Sequence, residues 1–102
     1  MDETLKIESL HTSFISGYGS TKVLEDVSLS IKQSEVLALV GESGSGKTVT
    51  SLSIMGLLPP NGKIDQGKIT LLYKKNEELD ILELSESKFN KVRGNDVSMI
   101  FQ

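Results

Sequence analysis

The apolar run Val36-Leu37-Ala38-Leu39-Val40 leads without a break into Gly41-Glu42-Ser43-Gly44-Ser45-Gly46-Lys47-Thr48. Five consecutive apolar residues leave no wet face, so they predict a strand covered on both sides, as in parallel sheets. Beyond the octapeptide, Val49, Leu52, Met55 and Leu57 or Leu58 recur at helical spacing until Pro59-Pro60-Asn61-Gly62 stops the run. The order strand, glycine-rich loop, helix is therefore imposed on the middle of the chain, and everything else must fold around it.

The octapeptide fits Gly-x4-Gly-Lys-[Ser/Thr] with Gly41, Gly46, Lys47 and Thr48 at the fixed positions. At average composition such a match arises by chance in roughly three in a thousand chains of this length, so coincidence is a weak rival. The pattern works only between a strand and the first turn of a helix, where backbone amides are unpaired and the dipole end is positive. Glycines at 41, 44 and 46 let the loop curl so that N–H groups from about Gly44 to Val49 converge on a phosphate with no Cβ in the way. Lys47 can bridge β- and γ-phosphate oxygens, and the Thr48 hydroxyl is placed to bind Mg2+. The candidate nucleotide-binding residues of this loop are Gly41, Glu42, Ser43, Gly44, Ser45, Gly46, Lys47, Thr48 and Val49.

Elsewhere the pattern is mostly β. Leu5 and Ile7, then Val27, Leu29 and Ile31 with Ser28 and Ser30 between them, read as half-buried strands, and Gly17-Tyr18-Gly19-Ser20 reads as the turn joining them. The stretch "GKITLLY" reads as a further strand. In "SESKFNKVRG" the spacing predicts a short helix, with Ser85 placed to cap it, Phe89 and Val92 inward and Gly94 at its end. Residues 74–80 read as a charged, solvated loop, and "VSMIF" reads as strand. The chain stops on that strand with no cap or closing helix, and so reads as cut.

Composition removes several function classes. The net charge of -3 over 102 residues gives no basic field for nucleic acid. With no cysteine, disulfides, thiolate metal sites and cysteine nucleophiles are all excluded. No run reaches membrane-spanning length, and "MDETLKIESL" lacks the order of a secretory signal, so the chain reads as a cytoplasmic soluble domain.

From Leu5 to Gln102 the chain resembles the N-terminal part of the ATP-binding subunits of ABC transporters. Three features carry the resemblance. Tyr18, 23 residues ahead of Gly41 in "GYGSTKVLEDVSLSI", is similar to the family's aromatic A-loop, whose ring stacks on adenine. The stretch "EVLALVGESGSGKTVTSLSIMGLLPP" resembles the subclass that imports oligopeptides, dipeptides and nickel. "KVRGNDVSMIFQ" resembles that subclass's lead into the Q-loop, which puts Gln102 where the glutamine reaches Mg2+ and the attacking water. The chain departs from the family at Ser34, where glycine is usual and a side chain strains the turn. It departs again in "LLYKKNEELDILEL", which is more charged than the usual connection.

The resemblance implies an α/β P-loop NTPase fold with an antiparallel β subdomain, of which residues 1–102 would be the N-terminal part. It implies ATP and Mg2+ as ligands, with Tyr18 and the loop on the nucleotide and Thr48 and Gln102 on the metal. It also implies a second ATP-binding subunit, transmembrane permease subunits and an extracytoplasmic substrate-binding protein as partners, at the cytoplasmic side of the membrane. The family's signature sequence, acidic strand end and switch histidine are not in the chain, and His11 reads as a surface or edge residue, so no catalytic residue is assigned. A chain of this kind would bind triphosphate weakly and expose apolar surface. Two other readings stay open: a P-loop kinase or GTPase, though no Asn-Lys-x-Asp guanine motif is present, and a non-catalytic binding fragment.

Overall fold

The computed structural model describes residues 3–39, 46–73, 77–94 and 97–99. Its elements are β1 (Glu3–Ser16), β2 (Gly19–Lys32), α1 (Lys47–Met55), β3 (Gly62–Tyr73), β4 (Glu77–Asp80), a 3-10 turn (Ile81–Glu83) and α2 (Glu86–Val92). The strands form one sheet in the order β2-β1-β3-β4 with every pairing antiparallel. An antiparallel sheet is what the resemblance implies for this part of the fold. A parallel neighbour for 36–40 is not among the described residues.

Three strands change face at the same level. In β1 the alternating buried residues are Leu5 and Ile7 before Ser9 and Leu10 and Thr12 after it, with Ser13 buried as well. In β2 Leu24 is buried, and beyond Asp26 it is Val27, Leu29 and Ile31 that pack against the core. In β3 the switch lies at Gly67, between Ile64 and the buried pair Ile69 and Leu71. Ser9 (φ 47), Asp26 (φ 51) and Gly67 (φ 117) all sit in left-handed backbone. An extra residue in a strand reverses its alternation, so three bulges at one level restore a single buried face and bend the sheet. Glycine is required at 67, since a Cβ there would lie 2.7 Å from Leu10 Cα and 2.7 Å from the Ser9 carbonyl. The bulge is pinned laterally by the Ser9 N–H, which donates to Ser28 Oγ at 2.9 Å.

The buried face is closed by Leu79 on β4, by Ile81 in the 3-10 turn and by Phe89 and Val92 of α2. Asp80 Oδ1 accepts from the Leu82 N–H at 3.2 Å and starts that turn. Ser85 Oγ accepts from the Lys88 N–H at 3.3 Å and caps α2, as its position in the sequence predicts. Both α2 residues expected to face inward do so.

Helix α1 differs from its expected outline. It ends at Met55 rather than at the prolines, because Gly56 (φ 65) turns left-handed; its N–H bonds to the Ser53 carbonyl and the Leu57 N–H to the Leu52 carbonyl, a Schellman arrangement. Leu57 and Leu58 therefore lie beyond the helix. Its buried residues are Thr50, Ser53 and Met55, while Val49 and Leu52 are half-buried. The buried hydroxyls need partners and take them from the preceding turn: Thr50 Oγ1 donates to the Gly46 carbonyl at 2.8 Å and Ser53 Oγ to that of Val49 at 2.8 Å.

Four further expectations are corrected. Residues 35–39 have no regular structure and Val36 is 94% exposed, where a strand buried on both faces was expected. The described sheet offers antiparallel partners only, and a parallel strand gains nothing without parallel neighbours; Val40 lies outside the described residues. Part of the expected loop 74–80 is strand: Glu77–Asp80 forms β4, with Leu79 paired to Leu71, because one inward leucine suffices to fix a short edge strand; 74–76 lie outside the described residues. Of "VSMIF", Val97 makes one isolated bridge with Arg93, and Ser98 and Met99 are irregular. His11 is half-buried on the inner strand β1, opposite Gln66, rather than at an edge.

The turn after β2 carries the strain that Ser34 implies. The Glu35 N–H bonds to the Lys32 carbonyl at 3.1 Å, and Ser34 at the third position has φ 62. A left-handed conformation at that position selects glycine. Replacing Ser34 by Gly removes a steric cost of about 1–2 kcal/mol and gives back part of it as unfolded-state entropy, so Ser34→Gly should stabilise the chain by a net of about 0.5–1 kcal/mol in urea titration. Thr12, with 0% exposure, holds an Oγ1 with no hydrogen-bond partner. Thr12→Val keeps the shape and removes the orphan hydroxyl; it should raise stability by about 1 kcal/mol, and a loss of stability would mean that the hydroxyl is satisfied in solution.

Candidate nucleotide site

The site is built where Gly46 opens α1. Gly46 is buried, has φ 96, and would place a Cβ 2.7 Å from Leu24 Cδ2, so a helix start this close to β2 requires glycine. Leu24 is itself 4% exposed and pairs with Thr12 on β1. The sheet thus supplies a rigid floor for the end of the loop. The first intrahelical bond runs from the Thr50 N–H to the Gly46 carbonyl at 2.9 Å, and the N–H groups of residues 46–49 have no acceptor within the helix. Gly46 brings no capping side chain and the first turn contains no acidic residue. Within the helix itself, then, no acidic side chain offsets the positive end.

Lys47 is half-buried as the first residue of α1, Thr48 is exposed beside it and Val49 is half-buried against the core. Residues 41–45, which make up most of the expected cradle, lie outside the described residues, and so does Gln102. Tyr18 stands at the tip of the β1–β2 hairpin with its ring fully exposed, and the Tyr18 N–H donates to Ser16 Oγ at 3.3 Å. From that tip to Leu24 is six residues of β2, about 20 Å at strand spacing. One strand thus links the aromatic tip to the loop end, without bringing them into contact.

A cavity of about 390 Å³ lies between α1, β3 and α2, lined by Ser53, Gly56, Leu58, Ile64, Ile81, Leu82, Leu84 and Phe89. It holds no ionisable group and supplies no chemistry. Among the described residues no cluster of three or more His, Asp or Glu side chains could hold a metal. Of the two metal-binding residues that the resemblance implies, Thr48 is among the described residues, and a single protein hydroxyl fits Mg2+, which usually keeps most of its shell as water and phosphate oxygen. The residue that the sequence left in the background is Arg93, part of the motif before Gln102, whose side chain reaches back to α1. Its only signal was the pairing of "MG" at 55–56 with "RG" at 93–94 in stretches that share one family resemblance.

A hairpin arm, a left-handed glycine at a helix start and a Lys-Thr first turn are the described parts of a P-loop NTPase-family domain. The sequence comparisons agree: the family profile described as "ABC transporter" matches residues 24–102, and the chain belongs to that family. It is 44% identical over 103 aligned residues to the dipeptide transport ATP-binding protein DppD of Bacillus subtilis, covering 100% of the chain and 29% of that protein. The DppD of Lactococcus lactis is 41% identical over 101 residues, with 99% of the chain and 28% of the relative covered. The oligopeptide transport ATP-binding protein AppD of Bacillus subtilis is 44% identical over 103 residues, covering 30% of its length. The chain therefore spans under a third of these relatives. Among the described residues no helix is long and apolar enough to cross a membrane.

The contact at Gly46 can be tested directly. Gly46→Ala should destabilise the fold by about 1–3 kcal/mol, through backbone strain and displacement of Leu24. Gly17→Ala, with nothing within 4 Å and no positive φ, should change stability by less than about 0.5 kcal/mol. Equal urea midpoints for the two variants would mean that Gly46 does not rest on Leu24.

Proposed function

We propose that this chain binds Mg-ATP as the phosphate-gripping portion of the energy-coupling subunit of a peptide importer. The observation that carries the reading is the buried, left-handed Gly46 seated on Leu24 at the start of α1. That seat fixes where the amides of 46–49 point, and the two residues beyond it are a lysine and a threonine. Residues 41–49 would hold the phosphate chain, Lys47 would neutralise the β- and γ-oxygens, and Thr48 would donate one oxygen to Mg2+. Tyr18, exposed at the hairpin tip, offers a flat apolar face to the base. Gln102 would complete the metal and water contacts. Bound Mg2+ supplies charge neutralisation between the phosphates.

The names of the relatives support dipeptides or oligopeptides as the cargo class. On this reading residues 1–102 are the N-terminal part of one ATP-binding domain, the whole protein hydrolyses ATP, and it works with a second ATP-binding subunit, permease subunits and a substrate-binding protein at the cytoplasmic face of the membrane. No residue of this chain is assigned as the catalytic base.

Lys47→Ala is the deciding variant. Loss of one charge-assisted contact, about 1.5–3 kcal/mol, should weaken ATP binding by roughly tenfold or more in equilibrium dialysis with labelled nucleotide. Equal binding by the two forms, with circular dichroism unchanged, would refute the phosphate-loop reading.

A further inference from the structure

The turn that follows α1 carries two neighbouring residues that can react with each other. Asn61-Gly62 is the only Asn-Gly pair in the 102 residues. An asparagine side-chain amide is open to attack by the backbone nitrogen of the next residue, and glycine leaves that nitrogen without a side chain to shield it. Asn61 is exposed, at the third position of the turn Pro59-Pro60-Asn61-Gly62.

In the folded chain both reacting groups are engaged. The Gly62 N–H donates to the Pro59 carbonyl at 2.8 Å, which closes the turn and keeps the proton on the nitrogen. Asn61 Nδ2 donates to the Ile15 carbonyl at 3.3 Å, and the Asn61 carbonyl accepts from the Ile15 N–H at 2.9 Å. Asn61 thus adds one rung to the β1–β3 ladder beyond the pair Phe14 and Gly62, toward the hairpin tip. Gly62 is itself closely packed, since a Cβ there would meet Phe14 Cε1 at 3.0 Å and Leu58 Cβ at 3.1 Å.

We propose that Asn61 is a self-modification site whose reaction is gated by this turn. When the turn opens, the Gly62 nitrogen loses its proton to solvent base and bonds to Asn61 Cγ; the Cγ–Nδ2 bond breaks and ammonia leaves. Water then opens the cyclic imide at either carbonyl, giving aspartate or isoaspartate. Neither product remakes both bonds to Ile15. Aspartate sets a carboxylate where the Ile15 carbonyl needs a donor, and isoaspartate turns the carbonyl that served the Ile15 N–H into a free carboxylate and lengthens the backbone by one atom. The hairpin arm then loses its outermost tie to β3, and the change is irreversible.

The test is mass spectrometry of the proteolysed chain after incubation with and without urea, reading conversion at Asn61 against Asn90 as internal reference. Conversion at Asn61 should be about tenfold to a hundredfold slower in the folded chain than in urea, the protection that two or three net hydrogen bonds supply. It should rise with pH in both, because the attacking nitrogen is deprotonated first. Phe14→Ala removes the ring packed on Gly62, and should speed the folded-state reaction about threefold or more while leaving the rate in urea unchanged. In the converted chain the Ile15 amide should exchange its hydrogen about threefold or more faster than in the parent. Equal or faster conversion in the folded chain overturns the gate, and no conversion at Asn61 in urea overturns the site. Unchanged Ile15 exchange after conversion overturns the loss of the rung. If Phe14→Ala does not fold, the comparison of the folded parent with the chain in urea decides alone.

Discussion

The line of bulges at Ser9, Asp26 and Gly67 is the constraint on which the rest of the structure depends. Strands of 14, 14 and 12 residues are long for a small domain, and a flat sheet of that length would leave one end without a core. By reversing the alternation in all three strands at once, the bulges bend the sheet while keeping a single buried face. The near half holds Ile7, Ile69, Leu71 and Leu79 under α2. The far half carries Leu24 to the start of α1. Without the bend, Leu24 would have its neighbours' alternation but the wrong face, and Gly46 would have nothing to rest on.

Much of this was legible in the sequence, and the parts that were not have physical reasons. The hairpin at Gly17-Tyr18, the cap at Ser85 and the inward pair Phe89 and Val92 depend on local spacing, which a sequence displays. The turn at Ser34 was signalled only through the family resemblance, which expects glycine there; the left-handed φ that explains it is a fact of the structure. The bulges were not, since each shows only as a one-residue slip in an alternation already diluted by serines, threonines and charges. The run 36–39 was misread because its burial requires parallel neighbours, a non-local condition that five apolar letters cannot state. For the candidate site, the motif located Gly46, Lys47 and Thr48 at the start of a helix, and the structure places them there. What made Gly46 necessary, the Leu24 methyl beneath it, was a tertiary fact.

The two ends of α1 are held by different physics. At its start the restraint is steric: a glycine wedged against a buried leucine. At its end the restraint is polar, with the Arg93 guanidinium donating to the Met55 and Gly56 carbonyls and lying over the Phe89 ring. The Lys6–Glu8 pair offers a useful contrast. Its charges lie 2.9 Å apart on the open face of the sheet, each side chain nearly half exposed, and the hydrogen bond and charge of Lys6 hold the Glu8 carboxyl below its usual range. Such a pair organises little, because water screens it. Arg93 reaches its partners with its own side chain only 18% exposed, and that shelter is what lets one residue hold two elements.

The hydroxyls of α1 have a further consequence. Thr50, Ser51 and Ser53 all donate to carbonyls one turn back in the same helix or at its cap, so none of them is tied to the sheet. A helix whose hydroxyls are satisfied from within owes its place on the sheet to apolar packing alone, through Val49, Ile54 and the buried Met55. Between its two held ends no polar bond among the described residues sets its rotation, so the shape of those three side chains does.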